Sequence, residues 1–490
     1  MSLRTIVLSD LHLGADDSLL THREGAHVVD EPGAVLARFG EALRATARDL
    51  AGGEKVQLVL LGDALDLGLS PFGEVSRSFV QLLHCFFPAG VEQVFDPEIV
   101  YVPGNHDHHI WRMVQDHAFI SQVEKIETHP GVKVPDDLEH ISLMTERPQY
   151  ECRLLTALMQ RYGHPIADGV VRVAYPNLAL VSDDGEAAVV MHHGHYLDAS
   201  YRLLSRISGW LDDKDGLPDT TLDLERQNGS WVDFLWSDLG SSGEVGEGAN
   251  TLYATMLDAG ASHQLGEKIA SRIADELQKR MGVNTEAPLK YGITPGNLIR
   301  AGVVLAAGRE AEVQRDGFRQ AMSPSETGDL LWYLSGPVRN QFESELGKVP
   351  KDVRFIFGHT HKPFQDQLSV PGYAHPVGVF NTGGWVLDEP KLMPCQGASA
   401  ILIDGDLEAV SLRLFNDPAG VAMPEVRVSG GGGYGPKQDA FLAAAREAVA
   451  EHSRKWSAFT AEVAHRIDEL SEARVERFLD LSETAREAAE

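Results

Sequence analysis

A chain of 490 residues with 43% hydrophobic and 23% charged residues has the composition of a folded globular protein, long enough for several domains or one heavily decorated one. Its formal net charge of −29 argues against a broad nucleic-acid-binding face, which needs clustered Lys and Arg, but leaves room for a local positive site built on bound cations. Cys85, Cys152 and Cys395 show neither metal-ligand spacing nor disulfide density, no apolar run is long enough to span a bilayer, and no signal peptide precedes the first strand, so a cytoplasmic protein is expected.

Thr5-Ile6-Val7-Leu8 reads as a short buried strand, with Asp10 and His12 just beyond its end. Pro32 to Leu50 has helical spacing at Val35, Leu36, Phe39 and Leu43. It should return the chain to a second strand, Leu58 to Leu61, which ends in Gly62-Asp63-Ala64-Leu65-Asp66. Phe79 to Phe87 reads as a buried helix ahead of a third strand, Ile99 to Val102, ending in Pro103-Gly104-Asn105-His106-Asp107. This β–α–β order predicts parallel strands with helices on the sheet faces. His108 to Arg112 opens a further helix, with His108 and His109 expected on its solvated surface. The alternating stretch from Val170 to Leu180, with the run after Asp183-Asp184-Gly185, predicts a hairpin leading into a fourth strand, Ala188 to Met191. That strand ends in His192-His193-Gly194-His195. A fifth, Val353 to Phe357, ends in Gly358-His359-Thr360-His361.

Each of these β-like runs delivers Asp, Asn or His to its C-terminal end, where the ligand sites of open α/β sheets collect, usually beside a Gly that lets the backbone turn sharply. An Asp-x-His pair in that position can aim one oxygen and one nitrogen at a single divalent ion. One such pair is common; its recurrence through the chain points to a built metal site. The chain has no Gly-x-x-x-x-Gly-Lys-Ser/Thr loop, no Gly-x-Ser-x-Gly elbow and no paired Cys-x-x-Cys, so nucleotide-driven motors, serine hydrolases and zinc ribbons lack support.

The ordered set Asp-x-His, Gly-Asp-x-x-Asp, Gly-Asn-His-Asp, His and Gly-His-x-His resembles the signature of the calcineurin-like metallophosphoesterase superfamily, over roughly residues 3–197 and 350–415. Phe380 to Trp385 resembles the Asn-Thr-Gly-Ser/Gly-Trp strand that often follows. The resemblance implies an α/β fold, a four-layer α/β/β/α sandwich, around two divalent ions. Asp10, His12 and His361 would hold one metal, Asn105, His193 and His359 the other, and Asp63 would bridge them. His193, directly before Gly194, matches the family position, with His192 and His195 as second choices. Such a mixed ligand set suits Mn²⁺, Fe or Zn²⁺ better than Mg²⁺. Two ions about 3.5–4 Å apart can activate a hydroxide for in-line attack on phosphorus. His106 matches the catalytic histidine, Asp66 the carboxylate that orients it, and His195 is a candidate phosphate contact.

The stretch between the fourth and fifth strands reads as mostly helical, including Ala199–Ile207, Trp231–Leu239, Thr251–Leu257, His263–Met281 and Asp329–Leu346. Both of its ends start beside the site, which favours a cap over an outward oligomerisation domain. Arg202 and Arg206, one helical turn apart, are candidate phosphate ligands. Closing strands at Ala398–Asp404 and Ala409–Phe415 precede a Gly-rich joint, Val428 to Gly435. A long helix then carries a single apolar stripe through Leu442, Ala445, Val449, Trp456, Phe459, Val463 and Leu470. The stripe should pack on the body of the protein, with a homodimer through this helix as the alternative. The division expected is therefore core at 1–197 and 348–427, helical insertion at 198–347, and linker plus helical tail at 428–490.

These readings converge on a cytoplasmic, dimetal-dependent phosphoesterase acting on a small or medium-sized phosphoester, with phosphomonoesterase and phosphodiesterase activity both open. Nuclease and nucleotide-sugar pyrophosphatase of the same superfamily are the alternatives, and a non-catalytic metal-binding scaffold is the competing class. The lipid A enzymes that cleave UDP-diacylglucosamine also carry a helical insertion. They typically have Arg where this chain has His106, which speaks against that assignment.

Overall fold

The computed structural model describes residues 2–25, 27–128, 138–161, 166–198, 201–202, 205, 217–233, 324–387, 395–415, 426–431 and 436–487. Most of its described strands form two sheets. In the eight-stranded sheet the order runs Arg427–Gly430, Ala409–Arg413, Ser399–Asp404, Leu3–Leu8, Val56–Leu61, Phe95–Val102, Val170–Val173 and Tyr150–Glu151. The four strands from Leu3–Leu8 to Val170–Val173 are parallel to one another, as the β–α–β order predicts, with antiparallel strands on either side. In the five-stranded sheet the order is Phe364–Leu368, Val377–Asn381, Asp352–Phe357, Ala187–His192 and Asn177–Val181, with Asp352–Phe357 parallel to both neighbours.

The period-two alternation of strand side chains sorts each motif strand between two cores. Ile6, Leu8, Leu58 and Leu60 face a cluster shared with helices Ala34–Ala51 and Phe72–Phe86. Val7, Val59, Leu61, Val100 and Val102 face the other way and share a cluster with Val189, Met191, Ile356 and Phe380 of the second sheet. The outer residues of that second sheet, Ala188, Val190, Val353, Phe355 and Phe357, pack with Leu224, Val232, Tyr333, Val338 and Phe342. Those partners sit on helix Thr221–Val232 and on the helical run from Pro324 to Leu346. The described helices of the 198–347 segment thus cover the outer face of the second sheet. Thr251–Leu257, His263–Met281 and most of Ala199–Ile207 and Trp231–Leu239 lie outside the described residues, and with them the expected cap.

Helix Ala34–Ala51 has the expected apolar face, and its Gly40 permits close crossing, since a Cβ there would stand 2.7 Å from the carbonyl oxygen of Cys85. The C-terminal stripe lies on helices Pro436–Glu451 and Ser453–Glu487. Ala445, Trp456, Phe459, Val463 and Leu470 are buried in the same cluster as Phe39 and Leu43, and Trp456 Nε1 donates to Thr46 Oγ1 at 3.0 Å. Through Leu470, the stripe is covered by this chain's own body.

Three local expectations are corrected. Val170–Val173 belongs to the first sheet, and the chain crosses to the second at Ala174–Pro176, so the hairpin into the fourth motif is Asn177–Val181 with Ala187–His192. Within the expected Gly-rich joint, Val428 to Gly430 lies on an edge strand paired with Ala409–Arg413, because the neighbouring strand offers it a ladder. His108 is buried, not solvated, for reasons given below. Among the described residues no helix is long and apolar enough to cross a membrane.

Candidate metal centre

The five motifs meet where the C-terminal ends of the two sheets adjoin. The first two loops are laced together, with Asp10 N, His12 N and Leu13 N donating to the carbonyl oxygens of Gly62, Asp63 and Ala64 at 2.9–3.0 Å. The second sheet is joined to them: His359 N donates to the Asp10 carboxylate at 3.0 and 3.1 Å, and Trp385 N donates to Asp10 O at 3.0 Å. Asp10, His12, Asp63, His359 and His361 all take left-handed backbone conformations, with φ between 44° and 68°. Such conformations are uncommon for non-glycine residues and cluster where function over-determines the backbone.

Two groups of potential ligands result. Asp10, His12 and His361 bring one ligand atom each within 4.8 Å of one another, and so do Asp63, His193 and His359. Asn105 joins the second group, its Oδ1 lying 3.2 Å from His193 Nε2. A third grouping, His12, Asp66 and His106, overlaps the first. The choice among the neighbouring histidines follows from the strand pleat. His192 points with Ala188 and Val190 toward the helical layer, where its Nδ1 accepts from Gly194 N and its ring packs on Tyr196 and Tyr333. His193 points toward the first sheet, with Nε2 3.1 Å from Asp63 Oδ2.

The donor atoms fit a divalent cation. His193 Nδ1 donates to the Leu61 carbonyl at 3.2 Å, which turns Nε2 toward the oxygens of Asp63 and Asn105, where its lone pair would be available to a metal in the neutral ring. Without a metal, a proton on Nε2 can satisfy these oxygens, and a divalent ion bound there would take its place. Burial lowers the affinity of His193 for a proton, yet Asp63 and Asp10 outweigh it and raise the imidazole to about 9. Burial likewise raises Asp63, but His193 and His106 bring it well below the usual carboxylate range. His12 Nε2 is buried with no hydrogen-bond partner among the described residues. The glycines leave the room required: a Cβ at Gly104 would strike Asp63, and one at Gly358 would strike Asp10.

Beside these groups, His106 Nδ1 donates to Asp66 Oδ1 at 2.8 Å, and Ser70 Oγ donates to Asp66 Oδ2 at 2.9 Å. Burial opposes charge on both partners, but the His106 hydrogen bond lowers Asp66, and Asp63 with Asp66 raises His106. His195 is buried behind His193, with Nε2 3.3 Å from Tyr175 Oη. The Arg202 guanidinium pairs with Asp329, and Arg206 lies outside the described residues. Sequence reasoning missed Ser70, Tyr175, Asp198 and Glu225. Asp198 Oδ2 stands 3.7 Å from His359 Nε2, an ion-pair contact longer than a hydrogen bond. Only Ser70, four residues after Asp66, offered a local signal.

A mixed α/β protein that gathers Asp and His at adjoining strand ends in this way is built as a metal-dependent phosphoesterase. The family model described as calcineurin-like phosphoesterase matches residues 3–283, and the chain belongs to that family. The fifth motif lies beyond the matched stretch, and the fold brings His359 and His361 to the other ligands independently. Among curated proteins, no sequence matches the chain significantly.

Proposed function

We propose that the protein hydrolyses a small or medium-sized phosphoester with two divalent ions, Mn²⁺, Fe or Zn²⁺. Asp10, His12 and His361 would hold one ion, Asn105, His193 and His359 the other, with Asp63 shared. The observation that carries this reading is the pair of adjacent ligand groups, each of which includes a histidine of the motif that lies beyond the family match. When bound, the ions neutralise the phosphoryl oxygens and lower the pKa of the attacking water. Asp66 and Ser70 fix the His106 ring, and because Nδ1 is engaged by Asp66, the proton His106 gives to the leaving oxygen departs from Nε2. His195 acts from behind His193, and the Asp329 partner of Arg202 makes that arginine the weaker phosphate ligand. The net charge of −29 favours a compact substrate over long nucleic acid. Buried thiols at Cys85 and Cys152 suit the cytoplasm.

The test is hydrolysis of bis-p-nitrophenyl phosphate and p-nitrophenyl phosphate with Mn²⁺, comparing the wild type with Asp63→Ala and His106→Ala. Mn²⁺-dependent turnover that vanishes in Asp63→Ala supports the dimetal reading, and the preferred ester separates diesterase from monoesterase. Absence of turnover with any divalent ion favours the scaffold reading instead.

A further inference from the structure

Outside the ligand set, a buried polar cluster ties helix Thr221–Val232 to two of the site loops. Glu225 on this helix is buried; its Oε2 accepts from Tyr175 Oη at 3.0 Å and from Tyr196 Oη, and its Oε1 lies 3.3 Å from His108 Nε2. The other nitrogen of His108, Nδ1, lies 2.6 Å from Asp233 Oδ1, just past the end of the same helix. Carboxylates thus face both ring nitrogens of a buried histidine, which suits the imidazolium: Nδ1 donates to Asp233, and Nε2 stands in ion-pair contact with Glu225 without an aligned hydrogen bond. Burial lowers His108, but Glu225 and Asp233 raise it to about 10. Gly229 makes room for the Glu225 side chain, since a Cβ there would strike its carboxylate.

The position of the cluster gives it significance. His108 follows Asn105 and His106 on one loop, and the intervening Asp107 is fixed by Gly104 N at 2.6 Å, Leu65 N at 3.3 Å and Tyr101 Oη. On the other side, Tyr175 Oη stands 3.3 Å from Nε2 of His195, which lies on the His193 loop with its ring centroid 5.7 Å from that of His193. Because Tyr175 gives its proton to Glu225, its oxygen can accept from His195. A buried ionic cluster is weak evidence for stability, since well-packed apolar residues often serve as well. Its directionality is what an apolar core lacks.

We propose that Glu225 is a positioning residue for the reaction: with Asp233 it holds His108, and through Tyr175 it holds His195, so that the Asn105–His106 loop is fixed against the His193 loop. The inference rests on the dimetal reading and extends it to the segment between the fourth and fifth motifs. That segment becomes part of the catalytic support as well as the cover of the second sheet.

The test compares Glu225→Gln and Asp233→Asn with Glu408→Gln, which weakens the buried Arg354–Glu408 ion pair elsewhere in the fold. For each variant one measures Tm, amide hydrogen exchange of residues 103–108 in metal-free protein, and kcat and KM on bis-p-nitrophenyl phosphate with Mn²⁺. Both cluster variants are expected to speed exchange in 103–108 and to lower kcat by about 10- to 100-fold, the usual range for residues behind metal ligands, with KM little changed. Glu408→Gln is expected to lower Tm while leaving kcat and that exchange unchanged. If Glu225→Gln does not fold, Asp233→Asn, at the more exposed end of the cluster, carries the test. Wild-type turnover that persists in both cluster variants overturns this inference alone, as does a kcat loss that only tracks Tm across all three variants. Absence of turnover in the wild type overturns the dimetal reading and this inference with it.

Discussion

The two sheets bring different chemistry to the centre. The carboxylates Asp10, Asp63 and Asp66 sit at the strand ends of the eight-stranded sheet with His12, Asn105 and His106, whereas the five-stranded sheet contributes the imidazoles His193, His359 and His361. The group of Asp10, His12 and His361 and that of Asp63, His193 and His359 each draw on both sheets. The sheets meet through hydrogen bonds that cross between them, from His359 N to Asp10 and from His193 Nδ1 to Leu61 O. On the proposed reading, a cation bound between an anionic half and an imidazole half would act as a clamp on the sheet interface as well as a participant in the reaction.

The largest expected effect comes from removing the shared carboxylate. Mn²⁺ at about 100 times its Kd should stabilise the wild type by about 2.7 kcal/mol. Asp63→Ala should abolish both that shift and turnover, and unfolding with Mn²⁺ or with EDTA would measure it. An Asp63→Ala protein that kept the full shift would break the comparison, because the anionic half would then not be needed to hold the clamp.

His106 sharpens the same contrast, since it lies in the anionic half but would act on the leaving group. His106→Ala should lower kcat by about 10²- to 10⁴-fold on an alkyl phosphoester, which needs a proton on departure. The loss should be smaller on p-nitrophenyl phosphate, whose leaving group departs as a stable anion, and calorimetric Mn²⁺ affinity should be nearly unchanged. Equal losses on both esters would assign His106 to charge stabilisation instead of proton donation.

The helical layers differ as the sheets do. Over the first sheet, Trp456 packs on Phe459 and hydrogen-bonds Thr46, far in sequence from any motif. Trp456→Ala should cost about 3–5 kcal/mol of stability. Denaturant titration should give the same loss with and without Mn²⁺. A loss confined to metal-free protein would mean that this layer also supports the centre.

The sequence was most legible where the signal is local. Short continuous apolar runs ending in Gly, Asp, Asn and His identified the motif strands, because a parallel strand and its following loop are one continuous stretch of chain. Helix Ala34–Ala51 and the C-terminal stripe were legible for the same reason, each through a single 3.6-residue pattern. What could not be read depends on distant partners. His108 looks like a surface histidine until Glu225 and Asp233, more than a hundred residues away, close over it. The edge strand at Arg427–Gly430 needs Ala409–Arg413 beside it, and glycines alone suggested only a joint. Among His192, His193 and His195 the chemistry is identical; the pleat turns His192 and His193 to opposite sides, and the turn at Gly194 carries His195 off the strand.

The smallest expected effect tests the link between the second sheet's helical layer and the Asn105–His106 loop. His108 is raised from an ordinary 6.5 to about 10 in the folded protein. A raised histidine contributes stability that is fully present below its unfolded value and is lost as pH rises through the folded one. Stability should therefore fall by about 2–3 kcal/mol between about pH 7 and 9 on account of this group alone. The Tyr175 and Tyr196 hydroxyls, held well above their ordinary range first by burial and then by Glu225, do not titrate in that window. His108→Gln should flatten this part of the profile in denaturant titrations across the range, with its own loss of stability greatest at the neutral end. An unchanged slope would mean that His108 is not held as an imidazolium, and that Glu225 and Asp233 grip it by packing and neutral hydrogen bonds alone.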